Sequence, residues 1–431
     1  MEKSLKNKRF LITQPLIRGI NGSTVVTLEL AEELQRLGAK VTVYTCDHGE
    51  PAKSYYTQKN ITVNTAQDNP NYKLNNFDYI WVHSQILPPC IIKQLSQKIS
   101  NKTPSFIFLH MSGMDWIPDE KPWIYDLENR LSSLSLFICE EVKDINKPFL
   151  DSSIPTAFFR NPTPTEFKDR NKKPSETLSR MLLVSNHPSK ELLEAKQLLE
   201  EKHHIAIDGL GETQENYKLF NKQLLEKYDA IITIAKTVPY CLVSGTPVYV
   251  YDIYAGGPGW LSQTNFTKAK ERNFSGYQNF KYPKSEGGVF HFKTPDQIVN
   301  EIVSGYQSSL SFHQKNMLAF QEEFVIDSVL PKILSNIKPK TIKPLPEKLA
   351  NSIIAAEQFA AIKFETGGLL YIRDEHIHQL EKQLHLLKKQ NQELIDYKNA
   401  AEKVFNSHAY RTFNKVIKPY KKVIRRNKDD K

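Results

Sequence analysis

Long apolar runs, cysteines and an even spread of charge are what this 431-residue chain lacks. No uninterrupted apolar stretch is long enough to span a bilayer, which argues against a membrane-crossing helix. The opening residues MEKSLKNKRF lead straight into a strand without an apolar core segment, so no secretory leader is expected. The four cysteines, Cys46, Cys90, Cys139 and Cys241, stand far apart in or beside apolar runs and read as buried reduced thiols. No G-x-G-x-x-G follows the first strand, which disfavours a dinucleotide oxidoreductase. Together these absences predict a cytoplasmic protein. Of the net charge of +10, the last 23 residues, Ala409–Lys431, carry +7 through nine Lys/Arg and two Asp. The rest of the chain is close to neutral, so a generally nucleic-acid-coating domain is disfavoured and the charge belongs to a tail.

At 40% hydrophobic and 25% charged, the composition is that of a globular protein, and the length suits two domains with additions. The most informative stretch is Asp229–Ser275. Its two β-branched and aromatic runs, Ala230–Ile234 and Pro247–Tyr251, read as buried parallel strands. Thr237–Ser244 between them makes a short helix that Gly245 ends, and the second strand runs through Asp252 into Gly256-Gly257-Pro258-Gly259. A strand–helix–strand–glycine-loop unit places its ligand beyond the carboxyl ends of the strands, with phosphate on helix N-terminal amides. An anionic small molecule, nucleotide-linked, is the expected ligand. Lys236 and the amides of Thr237 and Val238 are the candidate diphosphate contacts. Asp252 is a candidate for a sugar or ribose hydroxyl, or else caps its loop.

Further strands are expected at residues 9–16, 40–45, 77–83, 105–110, 134–139, 180–184 and 204–208, with helical stretches between them, which implies parallel sheets flanked by helices. Ser23 or Thr24 is the expected cap of the first helix. The loop holding Gly19 and Gly22 either approaches a ligand closely or is a plain strand–helix turn. Two polar Pro/Lys-rich stretches read as linkers. The expected organisation is therefore 1–160, a first α/β domain; 161–178, a linker; 179–335, a second α/β domain; 336–348, a linker; 349–404, a helical segment; and 405–431, a basic amphipathic tail. Ile377, Leu380, Leu384, Leu387, Asn391, Leu394, Lys398 and Ala401 repeat in alternating steps of three and four, a heptad seam that either pairs two chains or packs on its own globular part. In the tail, Tyr410, Phe413, Ile417, Tyr420 and Ile424 share one face, which suits an anionic membrane surface; the other reading is a solvated tail.

The order of FLITQPLIRGINGSTVVTLELAEELQRLGAKVTVYT, FDYIWVHS, FIFLHMSGMD, LSLFICEEVKD and SGTPVYVYDIYAGGPGWLS with NFTKAKERNFSG resembles that of GT-B glycosyltransferases. Within them, it is similar to the family-4-like bacterial enzymes that build surface polysaccharides. The resemblance covers Met1 to about Leu334. It implies two Rossmann-like parallel-sheet domains with a C-terminal helical, coiled-coil extension. It also implies a nucleotide-diphosphate sugar held by the second domain, an acceptor glycan on the first, retention of configuration, and no metal or other cofactor. Consistently, no DxD pair stands in a plausible loop; Asp429-Asp430 lies in the tail. The resemblance makes His110 the catalytic candidate beside the reacting sugar, with His83 and Asp115 towards the acceptor. Gly19, Gly22, Ser185, Asn186, Lys236, Thr237, Val238, Tyr240, Asp252, Gly256 and Gly257 become the donor-binding set, and Lys190 a weaker candidate. The chain departs from the family where two glutamates usually stand: Ile232 and Tyr240 occupy those places. Ser185-Asn186-His187 likewise replace a usual Arg/Lys pair. The alternative reading is a non-catalytic scaffold of the same fold that stabilises a partner transferase.

Overall fold

The computed structural model describes residues 5–83, 86–97, 103–113, 125–169, 171, 174–214, 216–253, 256–275, 292–408, 410–415 and 417. Seven strands, β1 (Arg9–Ile17), β2 (Lys40–His48), β3 (Thr62–Thr65), β4 (Tyr79–His83), β5 (Ser105–His110), β6 (Ser132–Phe137) and β7 (Thr156–Phe158), form the first sheet. Its order is β3-β2-β1-β4-β5-β6-β7 and every pairing is parallel. The helices of this lobe are α1 (Gly22–Arg36), α2 (Ala52–Gln58), α3 (Pro89–Leu95), α4 (Tyr125–Leu131) and α5 (Glu140–Asn146). Alternate residues feed opposite faces of the sheet. Phe10 and Ile12 join Leu30 and Leu34 of α1 in one core, while Leu11 joins Ile80, Val82 and Phe106 in another. A strand covered on both faces has no solvent side, which is why FLITQPL is buried almost without interruption.

The second sheet holds β8 (Arg180–Val184), β9 (Ala206–Leu210), β10 (Ala230–Thr233), β11 (Val248–Asp252) and β12 (Gly256–Trp260), in the order β12-β11-β10-β8-β9. It is parallel except for β12, which runs antiparallel to β11. Around it lie α6 (Lys190–His203), α7 (Lys222–Leu225), α8 (Thr237–Val243), α9 (Phe266–Lys270) and α10 (Pro295–Phe324). α11 (Ile326–Ser335) then crosses back: Ile326, Leu330 and Ile333 pack with Leu30 and Leu34 of the first lobe.

Neither linker is a free tether. Phe167 is buried in the second core and stacks on Tyr240 with centroids 4.4 Å apart, and Thr163 bridges to Val325. Ile342 and Leu345 are buried in the first lobe, where the Leu345 amide donates to Leu95 O at 2.8 Å. Polar and Pro-rich composition describes their surfaces; a few apolar anchors fasten them. The last helix, α12 (Glu347–Asn406), starts two residues before the expected segment. The chain divides into two compact units, residues 1–365 and 366–431, so the first turns of α12 belong to the α/β unit, where Ala350 and Ile353 are buried. No described helix is long and apolar enough to cross a membrane. Of the expected tail face, Tyr420 and Ile424 lie outside the described residues.

Candidate functional site

In each sheet the chain reverses the direction in which it adds strands next to the first strand. The β1–β4 and β8–β10 neighbours mark these points, where two adjacent loops part and leave a crevice beyond the carboxyl ends of the strands. A cavity of about 420 Å³ lies there. Its walls come from both lobes: Ile20, Gly22 and Val25 from the first, and Ser185, Asn186, Tyr217, Ala235–Thr237 and Asp252 from the second.

The lobes are tied together around this cavity. The Ile20 amide donates to the Tyr217 hydroxyl at 2.8 Å, and the Asn186 amide nitrogen donates to Ile20 O at 3.2 Å. The Leu219 amide donates to the Tyr55 hydroxyl at 3.0 Å. Gly19 stands outside the cavity lining, but a Cβ there would lie 3.2 Å from the Tyr217 oxygen, so a small residue suits this contact. Gly22 opens α1. The cap is Asn21, whose side chain accepts from the Thr24 amide at 3.0 Å; Ser23 and Thr24, the expected caps, lie already inside the helix.

On the second lobe, Ser185 and Asn186 follow β8 and line the cavity. Asn186 also accepts from the Glu212 amide at 3.1 Å, so one side chain fixes loops from both lobes. Lys190 is the first residue of α6, capped by Ser189. Ala235, between β10 and α8, has φ +50°, a left-handed conformation that a non-glycine residue adopts at some cost. This turn aims Lys236 and Thr237 at the cavity wall.

Lys236 does not present a free ammonium. Its Nζ is buried, 2.6 Å from Glu29 Oε2 of α1, 2.7 Å from Pro162 O, and 4.6 Å from the centre of the Tyr240 ring. The Tyr240 hydroxyl donates to Glu29 Oε1. Burial lowers the Lys236 pKa and raises that of Glu29, each shift opposed by the charge of the other. Tyr240, standing where the resemblance leads one to expect a carboxylate, thus holds one supplied by the other lobe. Sequence reasoning missed Glu29. The signal was there: Gly22, Val25 and Glu29 are spaced three and four apart and share one helix face.

Four other expectations need correction. The Val238 amide donates to Ala235 O at 3.1 Å and its side chain is core, so it is not open to a phosphate. Gly256 and Gly257 form no phosphate loop. They lie in β12 beside a bulge in β11, and a Cβ on Gly257 would meet Val250 O at 2.1 Å. Glycine is there because two backbones touch. His110 is fully buried, with Nε2 3.0 Å from Glu128 and its ring stacked on Phe137, and does not line the cavity. His83 is likewise buried against Thr27 and Gln14, at 3.0 and 3.2 Å, and burial pulls its pKa down to about 3. Asp115 lies outside the described residues. Among the described residues no three His, Cys, Asp or Glu side chains are grouped to hold a metal.

No family model matches the sequence, and no curated protein matches it either. Solved structures with a similar chain course include a glycosyltransferase from Rickettsia africae ESF-5, at 12% identity and a TM-score of 0.46, covering 76% of this chain and 97% of that one. Anabaena Alr3699/HepE in complex with UDP is similar at 11% identity and a TM-score of 0.47, covering 76% and 99%. MurG from Acinetobacter baumannii is similar at 11% identity and a TM-score of 0.43, also covering 76% and 99%.

Proposed function

We propose that this chain is a GT-B glycosyltransferase that moves a sugar from a nucleotide-diphosphate donor to a growing, lipid-linked surface glycan. The observation that carries the reading is the two-lobed crevice of about 420 Å³ at both strand-reversal points, walled by Asn186, Thr237 and Asp252 beside the Gly22 helix start. Ligands prefer such interfaces, and a site between lobes excludes water that would hydrolyse an activated sugar. The resemblance of the sequence to family-4-like enzymes adds retention of configuration and metal independence. The Thr237 amide and the Asn186 and Asp252 side chains are the donor contacts of this reading. The basic tail brings the enzyme to an anionic membrane at the cytoplasmic face, and the 377–401 seam pairs two subunits.

The test is thermal unfolding of the purified protein with a panel of nucleotide-diphosphate sugars, followed by nucleotide release with membranes as acceptor. A donor at a hundred times its Kd adds about 2.7 kcal/mol of stability. No protection by any donor and no release overturns the reading.

One observation favours a second reading, a non-catalytic scaffold for a partner transferase. The Lys236 ammonium and the Val238 amide are already engaged within the protein. If glycan assembly survives Asn186→Ala and Asp252→Ala but fails on deleting 366–431, the scaffold reading replaces the first.

A further inference from the structure

α12 carries its heptad seam in the open. Ile377, Leu380, Leu384, Leu387 and Leu394 are each 45–67% exposed, and the polar seam residues Asn391 and Lys398 are exposed as well. A helix with an apolar stripe of about 26 Å facing water, broken only at Asn391, is incomplete by itself. The 3.5-residue period fits one kind of cover, another helix with the same repeat. We infer that the cover is a second copy of this chain, aligned parallel and in register, as a two-stranded coiled coil through residues 377–401. This rests on the pairing of subunits proposed above and adds its orientation, register and strand number.

The polar seam positions decide the orientation. Ile377, Leu384, Asn391 and Lys398 occupy one seam row, and Leu380, Leu387, Leu394 and Ala401 the other. In a parallel, in-register pair each row faces itself. Asn391 then meets Asn391 of the second copy, and two amides satisfy each other's donors and acceptors. In an antiparallel pair one row faces the other. At full overlap Asn391 would meet Leu387 of the second copy and Lys398 would meet Leu380, leaving four mismatched layers instead of two homopolar ones. Parallel pairing does set Lys398 against Lys398, at a seam end where the long side chains reach out to water.

The flanking residues agree. In the parallel register His376 lies across from Glu381 of the second copy, Gln383 from Lys388, Gln390 from Ile395 and Tyr397 from Glu402. Among these flanking pairs no like charges oppose each other. A single Asn in the first row with Leu in the other favours two strands. Parallel pairing brings both copies of the basic C-terminal sequence to one end of the coil, so two tails reach one anionic surface together and bind with an avidity that one lacks.

The experiment uses the full chain carrying Asn391→Cys. Mass in solution is measured by light scattering, and oxidised samples are run without reductant. The native thiols Cys46, Cys139 and Cys241 are buried and Cys90 half-buried, so the unaltered chain is the background control. A dimer mass together with a covalent dimer specific to Asn391→Cys is the expected result. A dimer mass with no Asn391 cross-link, but with a cross-link between a Leu387→Cys chain and an Asn391→Cys chain, overturns the parallel register and leaves subunit pairing standing. A trimer mass overturns the two-stranded assignment. A monomer at tens of micromolar overturns the orientation and the pairing alike.

Discussion

Removing one charge from the Glu29–Lys236 pair leaves the other buried without compensation. Lys236→Met is expected to cost about 3–5 kcal/mol, read from urea unfolding. Combining it with Glu29→Gln is expected to cost less than the single change, because the stranded carboxylate is gone. A double-variant cost equal to the sum of the Lys236→Met and Glu29→Gln single costs would mean the pair is not coupled. Glu141 makes the opposite case. It follows β6, its Oε2 is buried with no hydrogen-bond partner among the described residues, and burial pushes its carboxyl up to about 7 against the pull of Arg272. The folded pKa exceeds the unfolded one, so the fold prefers the protonated group. The contribution is present below the unfolded value of 4.5 and lost as pH rises through about 7. Glu141→Gln should therefore add about 1–3 kcal/mol at pH 8 and little at pH 4. Parallel stability curves across that range would count against it. Neither Glu29 nor Glu141 is recognisable from residue type: each is one glutamate among many, and only its neighbours make it unusual.

Elements are where local rules and tertiary packing compete. Asn21→Ala should cost about 1 kcal/mol through the lost cap of α1, a change small enough to leave the crevice formed. Gly257→Ala is expected to cost about 1–3 kcal/mol, because the new methyl would enter the space of Val250 O at the β11 bulge. A thermal midpoint unchanged by Gly257→Ala would restore the loop interpretation of this segment. The strand cores of β1, β4, β5, β10 and β11 were legible from their β-branched and aromatic runs. The antiparallel β12 was not: Gly-Gly-Pro-Gly carries a turn signal, and what makes it a strand is the open edge of β11 beside it. The same holds for Phe167, which looks like a linker residue until its ring lies on Tyr240.

At the scale of the whole molecule, two lobes and a long helix answer to different tests. Residues 1–365 form one compact unit. Deleting 366–431 is expected to leave the thermal midpoint within about 2 °C while reducing the mass in solution from two chains to one. A large fall in midpoint would show that the α/β unit depends on the remainder of α12. Donor protection in the shortened chain should match that of the full one, since every residue lining the crevice precedes 366.

Apolar runs and heptad spacing determined the parallel strands of the two sheets and the helix that carries the seam, because these patterns follow from which residues avoid water. That the seam faces solvent was decided by the tertiary structure. Which groups at the crevice are free was decided only by the tertiary structure. Lys236 finds Glu29 from the other lobe, Val238 turns its amide to Ala235, and His110 sinks onto Phe137. Such pairings join residues far apart in the chain, and no local pattern records whether a charge will meet solvent, a ligand or its opposite.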